Sequence, residues 1–188
     1  MNDHTMPTDT LGADLRALRK ARGFTLGDLA GSMGKSVGWL SQVERDLSTP
    51  TIDDLKDLAS HLHVPVSMFF GQPKQGDGES GFIVRAHNRR EIGAADGLSE
   101  SLLSPDLTDS FEVLHCTFAP GARKTVPVSR ETQEVGTIIK GRLSLWIDET
   151  RFELREGDSF RVRGETYRWE NPHDVPALAI WVISPPVY

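Results

Sequence analysis

Cysteine is nearly absent from this chain of 188 residues: Cys116 is its only one. It excludes an internal disulfide and any metal site built on paired thiolates. Long apolar runs are lacking too. The longest, Ala177 to Ile183, has seven residues, against the roughly 20 that a bilayer-spanning helix requires. The opening Met1-Asn2-Asp3-His4-Thr5 has neither the basic start nor the apolar stretch of a secretory signal. A cytoplasmic protein with no membrane partner is expected. Positive charge is in deficit, with 21 basic against 27 acidic residues and a net charge of -6. That balance argues against a protein that coats nucleic acid by charge alone, and says nothing against a local recognition surface. An apolar fraction of 38% is enough for packed cores.

What is present changes character once along the chain. From about Thr10 to Gly71 apolar residues recur at helical spacing, whereas from Phe82 onward they come in short alternating or β-branched runs between glycines and prolines. Residues 72–81, Gln-Pro-Lys-Gln-Gly-Asp-Gly-Glu-Ser-Gly, contain no apolar side chain and read as a linker. The expected organisation is a helical domain at 10–71, the linker at 72–81 and a second domain at 82–188. Basic and acidic residues balance at seven each over 10–72, while residues 73–188 carry 14 basic and 18 acidic side chains. The helical part is therefore neutral, with Arg16, Arg19, Lys20 and Arg22 grouped apart from Asp53, Asp54 and Asp57.

In the helical part, Leu11, Leu15 and Leu18 stripe a first helix that Gly23 ends. Thr25 caps a short second helix through Met33, and Ser36 caps a third from Val37 to about Arg45. A fourth follows from Thr51, and Val64-Pro65-Val66-Ser67-Met68-Phe69-Phe70 closes a five-helix bundle. The second and third helices, joined by a glycine-containing turn, make a helix-turn-helix.

The run Leu15-Arg16-Ala17-Leu18-Arg19-Lys20-Ala21-Arg22-Gly23-Phe24-Thr25-Leu26, followed by Leu40-Ser41-Gln42-Val43-Glu44-Arg45 and Val64-Pro65, resembles the Cro/C1-type (XRE) DNA-binding domain. The resemblance implies that the third helix enters the DNA major groove. Ser36, Val37, Gly38, Ser41 and Gln42 then face base edges. Gln42 suits bidentate readout of adenine, and Val37 could touch a thymine methyl group. Thr25, Lys35 and Arg45 are placed for phosphates. Arg19 and Glu44 match a scaffold ion pair of that family. Trp39 is either a sugar-phosphate stacker or rim packing. Gly38 either permits close approach to DNA or is a tolerated flaw costing about 1 kcal/mol relative to alanine. Asp46 stands where the family usually has glycine.

The second part holds apolar runs at Phe111–Phe118, Val135–Gly141, Leu143–Ile147, Arg151–Leu154, Ser159–Val162, Tyr167–Glu170 and Ala177–Ile183. Short strands punctuated by turn residues indicate an all-β barrel or sandwich. Gly121, then Pro127-Val128-Ser129, Glu134 and Gly141, followed by Gly164, Tyr167 and Asn171, keep the spacing of the two cupin motifs. The domain thus resembles a cupin, a double-stranded β-helix barrel. Where that family carries metal-binding histidines this chain has proline, serine and tyrosine, and only Glu134 of the ligand set remains. Neither a metal, a cofactor nor a catalytic residue is expected.

A small barrel can still hold a small ligand. Strand alternation is expected to turn Ser129, Glu134, Tyr167 and Trp169 inward, with Arg123, Arg130 and Gln133 at or near the mouth. Glu134 suits an amine and the arginines a carboxylate. Alternatively, Glu134 pairs with Arg168 or Arg130 in an empty barrel.

Together the two parts resemble a group of bacterial transcription regulators, the putrescine-utilisation repressor among them. The implied function is a homodimeric, sequence-specific regulator of a double-stranded DNA operator, with a barrel that senses a small-molecule effector and helps dimerise the chain. The competing expectations are a metalloenzyme of the fosfomycin-epoxidase type, which has the same domain order, and a barrel that only dimerises.

Overall fold

The computed structural model describes residues 10–70, 79, 81–105, 107 and 109–187. Most of the expected linker, 72–78 and 80, lies outside the described residues. The chain divides into two units. One takes the residues up to Arg90 with Ser104–Asp109, and the other takes Glu91–Leu103 and Ser110–Val187.

The first unit has α1 (Leu11–Ala21), α2 (Leu26–Ser32), α3 (Val37–Val43) and α4 (Ile52–Leu62). Each starts at a hydroxyl N-cap, Thr10, Thr25, Ser36 and Thr51 in turn, whose side-chain oxygen accepts a backbone N–H of the first turn. In α2 and α4 the cap is reciprocal, because Asp28 and Asp54 accept the cap residue's own N–H. The fifth helix expected from the sequence is corrected: among the described residues there are four α-helices, and Val66–Phe69 is one turn of 3-10 helix. His63 turns left-handed at φ 55° to end α4, and Pro65, whose fixed φ suits the start of a helical segment, leads into the single 3-10 turn. Leu15, Leu18, Leu29, Leu40, Leu58, Leu62 and Met68 are buried to 1% exposure or less and form the core.

Two ion pairs among the described residues of this unit are buried. Arg19 grips Glu44 in a two-point contact, Nε to Oε1 at 2.6 Å and Nη2 to Oε2 at 3.0 Å, and Nη1 donates to the Phe24 carbonyl at 2.7 Å. Arg90 Nη2 lies 2.6 Å from Asp14 Oδ2, both side chains buried. One hydrogen bond from each of the three guanidinium nitrogens of Arg19 thereby ties α1 to the segments after α1 and α3.

The second unit is all β. Its strands are β1 (Glu91–Ala95), β2 (Leu98–Leu102), β3 (Glu112–Phe118), β4 (Gln133–Lys140), β5 (Arg142–Ile147), β6 (Thr150–Arg155), β7 (Ser159–Val162), β8 (Tyr167–Glu170) and β9 (Ala177–Ser184). They form a six-stranded sheet in the order β1-β2-β3-β9-β4-β7 and a three-stranded sheet in the order β6-β5-β8, antiparallel throughout. Alternation is regular on β3 and β9, where every second residue is buried. Phe118, Ile138, Leu143, Leu145, Ala179 and Trp181 supply the interior. Asn171 ties a corner of the fold: its side-chain amide donates to the carbonyls of Phe118, Ala119 and Val175 at 2.9–3.1 Å. The hairpin β1–β2 falls in a region without an expected strand. Its turn, Asp96-Gly97, has φ 57° and 81°, the two left-handed residues of a tight hairpin.

Candidate nucleic-acid interface and barrel cavity

The polar face of α3 follows from its buried one. Leu40 and Val43 are buried. At 100° per residue, positions 37, 38, 41 and 42 fall within an arc of about 140° on the opposite side. Val37 is 50% exposed, and Ser36, Gly38 and Gln42 are exposed beside it. A Cβ built on Gly38 meets only the Ser36 hydroxyl, at 3.9 Å. Nothing within the protein requires glycine there.

The expected phosphate residues are differently placed. The Thr25 hydroxyl accepts from the Asp28 N–H and donates to the Asp28 carboxylate, and the Thr25 N–H donates to that carboxylate as well. Its polar groups serve the cap. Lys35 forms an ion pair with Asp54 at 2.7 Å and stands 4.9 Å from the Trp39 ring centre. The ammonium and the Thr51 cap hold the Asp54 carboxyl down at about 2. Trp39 is therefore part of a lysine-aromatic contact at the rim. Arg45 donates from Nε to the Ser41 carbonyl at 3.0 Å and is exposed.

In the β unit, a cavity of about 140 Å³ opens beside β1 and β2. Glu100, Arg130, Lys124, Tyr167, Trp169 and Trp181 supply its polar and aromatic lining, and Val128, Leu98 and Ile183 are apolar members. Arg130, Tyr167 and Trp169 are thus brought together as expected positions of one site.

Glu134 lies deeper, 1% exposed. One oxygen accepts the Thr132 hydroxyl at 2.7 Å, the other the Trp181 indole N–H at 2.9 Å, and the Tyr167 hydroxyl also bonds to it. Burial, followed by the negative charge of Glu134, pushes the Tyr167 phenol well above its ordinary value, so it stays a neutral donor. The carboxylate faces hydrogen-bond donors. With proline, serine and tyrosine at the motif's histidine positions, this set does not fit a metal ion. Among the described residues no group of three or more His, Cys, Asp or Glu is arranged to hold one.

Besides Glu134, three expected residues are not part of the lining. Ser129 was expected to point inward, but Val128 bridges Tyr167 across the barrel and lines the cavity with Arg130. Alternation then turns Ser129 out. Gln133 is exposed because it neighbours inward Glu134 on β4. Arg123 is exposed and bridges Glu170 through the backbone.

Glu100 and Trp181 are the residues that sequence reasoning missed. Glu100 sits on β2 between Leu98 and Leu102 on one face of the strand, and the Cys116 thiol lies 3.9 Å from its Oε1. Burial raises its carboxyl above the ordinary range, while Arg130 counteracts that. The signal was the Asp96-Gly97 pair: a hairpin there makes Glu100 a charge on an inward-facing position.

A helix-turn-helix domain family matches residues 10–68, and a cupin domain family matches residues 114–183. HTH-type transcriptional regulator SutR of Escherichia coli is 29% identical over 156 residues, 82% of this chain and 83% of that protein. HTH-type transcriptional regulator PuuR of the same species is 25% identical over 154 residues, 80% of this chain and 81% of PuuR. HTH-type transcriptional regulator DdrOP3 of Deinococcus deserti is 34% identical over 95 residues, half of this chain and 68% of that protein. No helix among the described residues is long and apolar enough to cross a membrane.

Proposed function

This chain belongs to the HTH-type transcriptional regulators, with a helix-turn-helix domain and a cupin domain, and on that premise we propose how its parts divide the work. Residues 10–71 read DNA, 72–81 link, and 82–188 form the cupin that senses an effector and helps dimerise the chain in the cytoplasm. The exposed face of α3 carries the reading. Gln42, Ser41, Gly38, Val37 and Ser36 meet base edges, with Arg45 on phosphate. Lys35 joins it by sharing its ammonium between Asp54 and the DNA, and Thr25 contributes through position rather than through a spare hydroxyl. One such helix reads only a few base pairs, so a homodimer on a palindromic operator with half-sites about one helical turn apart is the working form.

The protein is read as a regulator and not an enzyme, supported by the three relatives and by the donor set around Glu134. The barrel cavity holds a small metabolite, an amine, an amino acid or a carboxylate, with Arg130, Tyr167 and Trp169 touching it and Glu134 fixing the wall behind. Arg123, Ser129 and Gln133 retain at most a place at the rim. An effector alters operator affinity only to the extent that it binds the DNA-competent and incompetent forms differently.

Selection from random duplexes, followed by a salt titration of the winner, tests the DNA reading. A preferred palindromic sequence with a steep salt slope is expected, and equal affinity for random duplex overturns it. Elemental analysis tests the enzyme alternative, since stoichiometric iron, manganese or nickel would revive it. A barrel that only dimerises predicts no saturable thermal shift with any metabolite.

A further inference from the structure

The charges around the cavity are not equivalent. Lys124 is paired with Asp96 at 2.8 Å. Glu134 has both oxygens engaged by donors. Glu100 and Arg130 remain, both lining the cavity, one of each sign; among the described residues no ion pair within 4.0 Å joins them or ties either to a third charged group, and Glu100 Oε1 accepts only the weak Cys116 thiol donor at 3.9 Å. Burial makes the Glu100 carboxylate costly to charge, and Arg130 is the leading influence in the other direction. The space between them is walled by Tyr167, Trp169 and Trp181.

We propose that this cavity takes a small amino acid in its zwitterionic form, its ammonium on Glu100 against the aromatic rings and its carboxylate on Arg130. The inference rests on the effector-sensing reading of the same cavity and narrows it. A monoamine satisfies Glu100 and leaves Arg130 without its anion. A monocarboxylate satisfies Arg130 and leaves Glu100, already penalised by burial, without its cation. Only a ligand with both charges engages both groups, compensating the half-buried Glu100 while pairing with the exposed Arg130 at the same opening. Ammonium groups also gain from the faces of tryptophan and tyrosine rings. A volume of about 140 Å³ holds about five waters at their liquid share of roughly 30 Å³ each, the scale of a small amino acid with about six non-hydrogen atoms.

Calorimetric titration of the full-length protein against three sets decides the matter: glycine, alanine, leucine, β-alanine and 4-aminobutyrate; ethylamine and butylamine; acetate and butyrate. At least one amino acid is expected to bind saturably, and at least about tenfold more tightly than its amine or carboxylate counterpart. Glu100→Gln and Arg130→Gln are each expected to weaken it by at least about tenfold, and Arg130→Lys by less, with the melting temperature of each variant verifying its fold. A monoamine or monocarboxylate that binds as tightly as the amino acids, or variants without effect on binding, overturns the inference and leaves the effector reading standing. No saturable heat from any set also overturns it. The effector reading then falls as well if a small-molecule cell extract does not shift the melting temperature.

Discussion

Asp46 accepts the backbone N–H of Gly12 at 2.9 Å, reaching from just past α3 to the start of α1. Its own backbone is left-handed, φ 56°, the region that favours glycine. Here the side chain offsets that backbone cost by also accepting the Thr10 hydroxyl, so an acidic group covers orphan donors at a helix N-terminus. Asp46→Ala removes the contacts and keeps the left-handed backbone, whereas Asp46→Gly removes the contacts and relieves the backbone. Alanine is expected to be the more damaging, costing about 1–2 kcal/mol by urea denaturation. A glycine variant equal to or worse than alanine would contradict this balance.

The same approach makes Gly12 a position without tolerance. A Cβ there would stand 2.4 Å from the Val43 carbonyl oxygen, a backbone atom that moves only with α3. Gly12→Ala is expected to destabilise the helical unit by more than about 2 kcal/mol. A thermal melt showing an unchanged midpoint would refute the close approach.

Gly38 behaves oppositely. Its surroundings are open and it lies inside α3, so Gly38→Ala is expected to raise stability by about 0.5–1 kcal/mol. Operator affinity then reports on DNA directly. A loss of affinity in the stabilised variant identifies position 38 as a close contact with the duplex, and full affinity removes it from the reading face.

Asp54 links stability to acid. Its folded carboxyl is held at about 2, below the ordinary 3.8, by Lys35 first and then by the Thr51 cap. A depressed folded value stabilises the fold above the ordinary value, and that contribution fades as pH falls from about 4 through about 2. Asp54→Asn is expected to flatten the pH dependence of the melting temperature in that window. An undiminished slope would show that other carboxylates dominate it.

Glu134 is a hub of acceptors. Glu134→Leu, similar in size but apolar, leaves the donor-only Trp181 indole N–H, and with it the Thr132 hydroxyl, without an acceptor. A buried donor thereby loses its acceptor, which costs about 1–3 kcal/mol. Near-ultraviolet circular dichroism of the Trp181 environment and a chemical melt both report it; a variant as stable as the parent would place water, not these donors, at the carboxylate.

The legible parts of the sequence were those with local signatures. Ser36, Thr51 and the glycine-bounded stripes set the helices, and Gly121, Glu134 and Asn171 set the barrel, because caps, turns and alternation act within a few residues. The missing hairpin β1–β2 shows the limit. Its strand Glu91–Ala95 is short and rich in small residues, so its apolar pattern is weak, and Asp96-Gly97 was the sole local clue. Glu100 was lost with it. Ser129 failed for another reason, since which of two neighbours turns inward depends on the partner strand, and the bridge from Val128 to Tyr167 fixed that.

The sequence by itself determined the two kinds of secondary structure, the helix-turn-helix and the absence of histidines at the cupin motif positions, since each rests on residue type at fixed spacing. Only the tertiary structure decided what the surviving polar groups do. It gave Lys35 to Asp54 and Glu134 to Thr132, Tyr167 and Trp181, and it set Glu100 and Arg130 in one cavity without an ion pair among the described residues. The reason is physical: pairing depends on distances across strands and helices far apart in the chain. Cys116, whose solitude excluded disulfides at the outset, ends as a buried thiol beside Glu100.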